Sequence, residues 1–139
     1  MKVTREMTFD SAHMLSNYVG KCHNLHGHTY KLQVTLEGEV EDETGMIMDF
    51  QTLDQYIRSV IDSYDHAIIF SSEKYRKEPE NELLHWAEEF GMDYIICRSK
   101  CTAENIASDI CYDIQHLVGE LYKVTCKLWE TPNSFAETV

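Results

Sequence analysis

Residues 22–30 read CHNLHGHTY and hold the densest group of potential metal ligands in the chain. His26 and His28 lie two positions apart, so on a β-strand both side chains point to the same face, about 7 Å apart along the chain. Gly27 between them leaves the opposite face open. Imidazole is the commonest protein ligand for zinc, and this spacing indicates two ligands of one metal site.

His13 is the predicted third ligand. It ends a stretch in which Val3, Met7 and Phe9 share its parity, a pattern typical of a half-buried strand. Residues 26–37 alternate in the same way and predict a second strand. If the two strands form an antiparallel hairpin, the end of the first faces the start of the second. Three histidines with one open coordination position are typical of a catalytic zinc site.

Two alternatives remain open for these ligands. Cys22 could close the fourth position and make the site structural. His23 is another candidate ligand, although its position in the loop does not match a hairpin partner of His13. Either histidine of the His-x-His pair could also be an ordinary polar residue.

Cys22, Asp65 and His66 are the candidate catalytic residues. A thiol close to a cation and imidazoles loses its proton readily, so Cys22 could act as a base or nucleophile; the alternative is a small buried apolar side chain. The adjacent pair Asp65-His66 suits a proton relay, because a carboxylate orients an imidazole and raises its basicity. The dipeptide alone is weak evidence, since both residue types are common in loops.

Glu130 continues the inward parity of Val124, Cys126 and Leu128. A buried carboxylate is costly unless it is paired. A heterocycle that presents two adjacent N–H groups would pair with it in the manner of an arginine. The alternative is that the strand ends earlier and leaves Glu130 in solvent.

The remaining pattern predicts a single α+β domain over residues 1–139, without repeats or linkers. Asp49 can cap an amphipathic helix, and Thr102 can cap a longer one. The apolar stripe of the first comprises Leu53, Tyr56, Ile57, Val60 and Ile61. Residues 80–90 indicate a shorter helix, and residues 93–98 a short strand. Cys101 precedes a helix N-terminus, which would lower the pKa of its thiol. A second metal site formed by Cys97 and Cys101 is disfavoured by the bare C-x-x-x-C spacing.

Composition excludes several classes of protein. Twelve basic and 24 acidic side chains give a formal charge of −12, which disfavours binding to nucleic acid or anionic lipid. No apolar stretch is long enough to cross a bilayer, and the first residues lack the apolar segment of a secretion signal. Five cysteines without regular spacing favour reduced thiols over a disulfide framework. We therefore expect a soluble, cytoplasmic protein.

The motifs together resemble the 6-pyruvoyl-tetrahydropterin synthase family, and within it the bacterial 6-carboxy-tetrahydropterin synthases of queuosine biosynthesis. They occur in the family's order and extend almost from end to end: FDSAH at residues 9–13, C-x-x-x-HGH-x-Y at 22–30, G-x-x-x-DF at 45–50, DH at 65–66, TAEN at 102–105 and WETP at 129–132.

This resemblance implies the tunnelling fold, a four-stranded antiparallel sheet with helices packed on one face. Three subunits would close a barrel, and two such rings would form a homohexamer. The resemblance also implies roles for the residues above, namely zinc ligands at His13, His26 and His28, a catalytic thiol at Cys22 with relay partners Asp65 and His66, and substrate-binding residues at Glu130 and Thr102.

The implied reaction converts 7,8-dihydroneopterin triphosphate to 6-carboxy-5,6,7,8-tetrahydropterin with loss of acetaldehyde and triphosphate. A pyruvoyl-forming synthase and a non-catalytic zinc-binding scaffold are the alternatives. A branch that makes 6-hydroxymethyl-dihydropterin typically has glutamate in place of the cysteine, so Cys22 counts against it. Because the protein is acidic, local cations must receive the triphosphate. The candidates are Lys21, Arg98, Lys100 and Lys127.

Overall fold

The first two strands form a long antiparallel hairpin, as predicted. A computed structural model describes all residues 1–139. Strands β1 (Lys2–His13) and β2 (His26–Glu37) pair along their whole length, from Lys2 opposite Glu37 to His13 opposite His26. Alternation along both strands sends Phe9, Tyr30 and Leu32 inward. One register therefore fixes both the core and the position of the histidines.

Four shorter strands complete the sheet: β3 (Ala67–Phe70), β4 (Tyr94–Ile96), β5 (Lys123–Thr131) and β6 (Ser134–Glu137). The spatial order is β4-β3-β1-β2-β5-β6. β5 pairs antiparallel with β2, and β6 with β5, whereas β3 runs parallel to both β1 and β4. The sheet is consequently mixed.

Three α-helices accompany the sheet: α1 (Phe50–Ile61), α2 (Glu78–Glu89) and α3 (Ala103–Val118). The Asp49 carboxylate caps α1 by accepting hydrogen bonds from the backbone N–H groups of Gln51 and Thr52. α1 and α3 bury their apolar stripes in the main core, against the inward residues of β1, β2 and β5. No helix is sufficiently long and apolar to span a lipid bilayer.

Helix α2 packs in a separate, smaller cluster with strands β3 and β4. Leu84 and Ala87 contact Phe70, while the neighbouring Ile69 belongs to the main core. Successive residues of a strand face opposite ways, so α2 covers the side of β3 and β4 that α1 and α3 leave free.

The α+β class and the tunnelling-fold architecture are confirmed, but the sheet has six strands where four antiparallel ones were expected. β3 and β6 are only four residues each, too short for alternation to identify them. The parallel pairings of β3 with β1 and of β4 with β3 are what make the sheet mixed. Strand β4 lies within the predicted strand over residues 93–98. Where α2 does not cover it, the sheet face opposite the main core carries polar and amphipathic side chains such as Thr8, Lys31 and Trp129.

Candidate metal centre and surrounding site

Three imidazoles meet at the open end of the β1–β2 hairpin. His13 and His26 are direct partners in the ladder, and His28 follows two residues later on the same face. Ring centroids lie 4.6 Å apart for His13 and His26, 5.2 Å for His13 and His28, and 4.9 Å for His26 and His28. One nitrogen of each ring lies within 4.8 Å of the others. The predicted ligand trio is thus brought together by strand pairing.

Backbone carbonyls orient two of these rings. His13 Nδ1 lies 2.7 Å from the carbonyl oxygen of Cys101, and His26 Nδ1 lies 2.7 Å from that of Asn24. A carbonyl oxygen only accepts hydrogen bonds, so each neutral ring carries its proton on Nδ1. Nε2 is then left with a free lone pair, which is the state that binds a metal.

The buried nitrogens of this cluster fit a metal ion. Nε2 of His13 and Nε2 of His28 are both buried and lack any hydrogen-bond partner. An unsatisfied buried polar atom is costly, and a metal would satisfy both. Burial lowers the pKa of His13 to about 4, and burial also lowers the pKa of His28. Both rings are therefore neutral near pH 7, which is the form of imidazole that binds zinc.

Glu130 faces the histidines rather than bulk solvent. Its Oε1 atom lies 3.7 Å from Nε2 of His13, and its side chain is 29% exposed. Glu130 and His28 line one cavity of about 710 Å³, together with Lys31 and Trp129. The inward orientation expected from its parity is observed, and the carboxylate retains access to a ligand in that cavity.

Asp65 and His66 form a hydrogen-bonded unit locked to strand β1. Asp65 Oδ2 lies 3.0 Å from Nδ1 of His66, and its Oδ1 accepts a hydrogen bond from the N–H of Asp10 at 2.8 Å. That backbone hydrogen bond holds the pKa of Asp65 below its usual value, and the His66 contact adds to the effect. Asp65 therefore stays ionised and directs the Nδ1 proton of His66 toward itself, which leaves Nε2 of His66 facing outward.

The backbone of His66 is in an uncommon conformation. Its φ of 60° lies in the left-handed region that L-residues with side chains seldom adopt. Its N–H donates to the carbonyl of Asp10 at 2.6 Å, which holds the residue in this conformation. His66 and His28 line a common cavity of about 460 Å³. Strained residues cluster at functional sites, so this conformation is consistent with a role for His66.

Cys22 and the Asp65–His66 pair belong to different segments of the chain, one before β2 and the other before β3. It sits in a 3₁₀ turn (Lys21–His23) between β1 and β2, and its side chain is exposed and makes no hydrogen bond. The Cys22 carbonyl accepts a hydrogen bond from the Leu15 N–H at 2.8 Å, which ties the two ends of the loop together. His23, on the same turn, is not part of the histidine cluster. Within one chain no hydrogen bond joins the thiol to the Asp65–His66 pair.

Thr102 begins helix α3, as predicted, but its hydroxyl does not cap the helix. Instead it accepts a hydrogen bond from the side-chain amide of Asn105 at 3.1 Å. Thr102 lines a small cavity of about 130 Å³ with Ser16, Ser71 and Lys100, separate from the cavity that contains Glu130. The two predicted substrate-binding residues therefore lie in different cavities of the subunit.

Sequence reasoning missed two residues of the site, Cys101 and Tyr30. The Cys101 carbonyl orients His13, but backbone acceptors leave no signal in residue type. The low pKa expected for the Cys101 thiol is wrong, because the side chain is fully buried and burial raises its pKa. Tyr30 lies beneath His28 with ring centroids 5.3 Å apart, and its buried hydroxyl lacks a partner. Its place in the HGH-x-Y motif was the available signal.

The chain is similar to known proteins over nearly its full length. The chain is 38% identical to the 6-carboxy-5,6,7,8-tetrahydropterin synthase of Haemophilus influenzae, over 98% of this chain and 96% of that protein. It is 32% identical to the protein of the same name from Rickettsia felis, over 99% of each.

Solved structures show the same architecture. The 6-pyruvoyl tetrahydropterin synthase of Caenorhabditis elegans superposes with a TM-score of 0.70 at 25% identity, covering 99% of this chain and 94% of that one. A Plasmodium falciparum 6-pyruvoyl tetrahydropterin synthase gives a TM-score of 0.73 at 21% identity, covering 99% and 96%. The family model described as 6-pyruvoyl tetrahydropterin synthase matches residues 2–139. With a match over nearly its whole length, the chain belongs to the 6-pyruvoyl tetrahydropterin synthase family.

Proposed function

We propose that this protein is a zinc-dependent 6-carboxy-5,6,7,8-tetrahydropterin synthase. In this reaction 7,8-dihydroneopterin triphosphate and water give 6-carboxy-5,6,7,8-tetrahydropterin, acetaldehyde and triphosphate. The observation that carries the proposal is the cluster of three imidazoles, in which two buried Nε2 atoms lack a hydrogen-bond partner, beside the Glu130 carboxylate. The full-length similarity to the synthases of Haemophilus and Rickettsia supports the choice of product.

His13, His26 and His28 would hold the zinc ion. When bound, zinc would act as a Lewis acid that makes the hydroxyl groups of the substrate side chain easier to deprotonate. Three protein ligands leave a coordination position available, as catalytic zinc sites require. The tautomers set by the Cys101 and Asn24 carbonyls present Nε2 of His13 and His26 in the required state.

Glu130 would bind the pterin ring. An ionised carboxylate can accept two parallel hydrogen bonds from adjacent N–H groups on the ring edge. Its distance of 3.7 Å from a metal-ligand nitrogen would place the bound ring next to the zinc site. Thr102, at the start of α3, is the second proposed contact with the ring.

Cys22 and the Asp65–His66 pair would carry the protons. Cys22 as thiolate would remove a proton from the substrate side chain, and His66 would return protons through Nε2. Asp65 would keep His66 oriented and stabilise the imidazolium form. Reduction of the ring is matched by oxidation of the side chain, so the reaction needs no external reductant.

Assembly into a homohexamer, as two stacked trimers, is part of the proposal. Strands β4 and β6 end the sheet and leave unpaired edges in a single chain. The polar sheet face also exposes aromatic surface, including Phe135 at 52% exposure. Edge-to-edge pairing of subunits would close these edges. It would also allow Cys22 of one subunit to approach Asp65 and His66 of another.

Cellular location and triphosphate binding are also proposals. Five free cysteines suit the reducing cytoplasm. Of the four cations named as candidates for the triphosphate, Lys100 lines the Thr102 cavity. Arg98 donates to Asp113 and lies 3.5 Å from Asp109, while Lys127 lies 3.3 Å from Glu137. Because those two cations are already paired, Lys21 and Lys100 are the better candidates.

The test is incubation of the zinc-loaded protein with dihydroneopterin triphosphate, followed by mass identification of the product. Formation of 6-carboxy-tetrahydropterin and acetaldehyde supports the proposal. Release of triphosphate with a 6-pyruvoyl product would identify the protein as a pyruvoyl-forming synthase. An unchanged substrate, with zinc bound, would favour a scaffold without turnover.

A further inference from the structure

Glu80 is a fully buried carboxylate that lies outside the site described above. It belongs to the first turn of α2 and has 0% exposure, and it takes part in no ion pair. Its Oε1 accepts a hydrogen bond from the N–H of Ser71 at 2.6 Å, and its Oε2 accepts one from the Ser16 hydroxyl at 2.6 Å. A buried carboxylate is costly unless its oxygens accept hydrogen bonds, and both oxygens of Glu80 do so here.

The partners of Glu80 belong to the two segments that flank the metal centre. Ser16 follows the end of β1, three residues after His13, and its hydroxyl also accepts a hydrogen bond from the Lys77 N–H. Ser71 follows the end of β3. Glu80 thus joins the first turn of α2 to both strand ends.

Ser71 continues the network to Cys101. The Ser71 hydroxyl accepts a hydrogen bond from the Cys101 N–H at 3.2 Å and donates to the Cys101 sulfur at 3.4 Å. The Cys101 thiol in turn donates to the carbonyl of Met14, the residue after His13, at 3.2 Å. Cys101 is therefore held at its amide and at its sulfur.

The carbonyl of this immobilised residue receives the Nδ1 proton of His13. An unbroken series of hydrogen bonds consequently runs from Glu80 through Ser71 and Cys101 to His13. Groups that orient a metal ligand commonly affect metal affinity 10- to 100-fold, because a misdirected ligand loses part of its bond.

We propose that Glu80 is a positioning residue for the metal centre, acting through Ser71 and Cys101 to fix the orientation and tautomer of His13. The inference rests on the proposed function in one respect, namely that the three histidines bind zinc. It assigns a role in positioning His13 to helix α2, which lies between β3 and β4 in the chain. A carboxylate suits this position because it accepts from Ser71 and Ser16 at once, which a neutral apolar residue cannot do.

The test compares five variants with the wild-type protein: two that interrupt the network, two controls and the conservative Glu80→Gln. Glu80→Ala and Ser71→Ala interrupt the network, while Glu82→Ala and Ser72→Ala are matched controls on neighbouring positions. Zinc affinity is measured by competition with a chromophoric chelator. The cobalt-substituted proteins are compared by visible absorption, which reports ligand geometry independently of turnover. Circular dichroism establishes that each variant is folded.

Glu80→Ala and Ser71→Ala are expected to raise the Kd for zinc about tenfold and to alter the cobalt spectrum. The Kd for zinc of both control variants, Glu82→Ala and Ser72→Ala, should stay within about twofold of the wild-type value. Glu80→Gln should restore most of the affinity, because its amide can accept from Ser71 and donate to Ser16. If Glu80→Ala does not fold, Ser71→Ala carries the test alone.

Two results would overturn the inference. One is a lower melting temperature with unchanged zinc affinity and cobalt spectrum, which would make Glu80 a purely structural residue. The other is a loss of zinc affinity in Glu82→Ala as large as that in Glu80→Ala. Failure of the wild-type protein to bind zinc would instead remove the proposed function itself, so the two failures are distinguishable.

Discussion

His13 and His26 are direct partners in the β1–β2 ladder, and their ring centroids are 4.6 Å apart. The candidate metal centre is therefore built from the backbone register of a hairpin, with His28 added by alternation along β2. A slip of one residue in this register would send the inward side chains of a strand to the other face. The same pairing that buries Phe9 and Tyr30 thus also assembles the ligands.

Replacement of Cys22 by alanine should abolish turnover without loss of zinc. The Cys22 side chain is exposed and makes no hydrogen bond, so its removal should leave the fold intact. Turnover with dihydroneopterin triphosphate and zinc content per chain are the two measurements. Loss of zinc in Cys22→Ala would identify the thiol as a ligand, contrary to the proposed role.

Asp65→Asn should lower kcat at least tenfold with little change in zinc affinity. Its side-chain oxygen can still accept from Asp10, but its amide group cannot receive the Nδ1 proton of His66. General acid–base groups typically contribute 10²- to 10⁴-fold, and a misoriented imidazole loses part of that. Steady-state kinetics of Asp65→Asn are compared with those of Asp62→Asn, an exposed neighbour. Equal kcat values in the two variants would argue against the relay.

The sequence pattern was sufficient for the hairpin and its ligands because two twelve-residue strands with strict alternation leave little choice of register. The inward position of Glu130 followed from the same alternation in β5. Strands β3 and β6 could not be predicted from alternation. β3 and β6 have four residues each, and β3 is placed by parallel pairing with β1, which depends on contacts distant in sequence.

The contacts that surround the three histidines also could not be predicted from the sequence. The Cys101 carbonyl reaches His13 across 88 residues of chain, and the residue type of Cys101 indicates nothing about its carbonyl. Glu80 looked like one of several glutamates in an acidic helix, and only its complete burial distinguishes it.

Thiol reactivity should divide the five cysteines into two groups. Cys22 is exposed and Cys111 half-buried, whereas Cys97, Cys101 and Cys126 are buried. A hydrogen bond from the Cys126 thiol lowers the pKa of Cys111 to about 6. Cys111 is therefore mainly thiolate above pH 6 and thiol below it, so its alkylation rate should rise through pH 6 and level off by pH 8.

Peptide mapping after brief treatment of the native protein with iodoacetamide checks this division. Alkylation of Cys22 and Cys111 alone is the expected pattern, with Cys126→Ala shifting the Cys111 profile to higher pH because it removes the hydrogen-bond donor. Rapid labelling of Cys97 or Cys101 in the folded protein would contradict the observed burial.

Tyr30→Phe should be neutral or slightly stabilising. The Tyr30 hydroxyl is buried without a hydrogen-bond partner, and removal of an unsatisfied polar group avoids its desolvation cost, about 1–3 kcal/mol. Tyr122→Phe is the control, because the Tyr122 hydroxyl donates to the Ile47 carbonyl at 3.2 Å and its loss should cost about 1 kcal/mol. Urea unfolding of the zinc-free proteins measures both. A larger loss of unfolding free energy for Tyr30→Phe than for Tyr122→Phe would show that the Tyr30 hydroxyl has a hydrogen-bond partner.

Zinc K-edge X-ray absorption on the purified protein, with metal content measured on the same sample, tests the three-histidine centre most directly. The account predicts about one zinc per chain, nitrogen and oxygen neighbours at about 2.0–2.1 Å, and imidazole multiple scattering. Absence of bound zinc, or a sulfur neighbour at about 2.3 Å that points to Cys22 as a ligand, would contradict it.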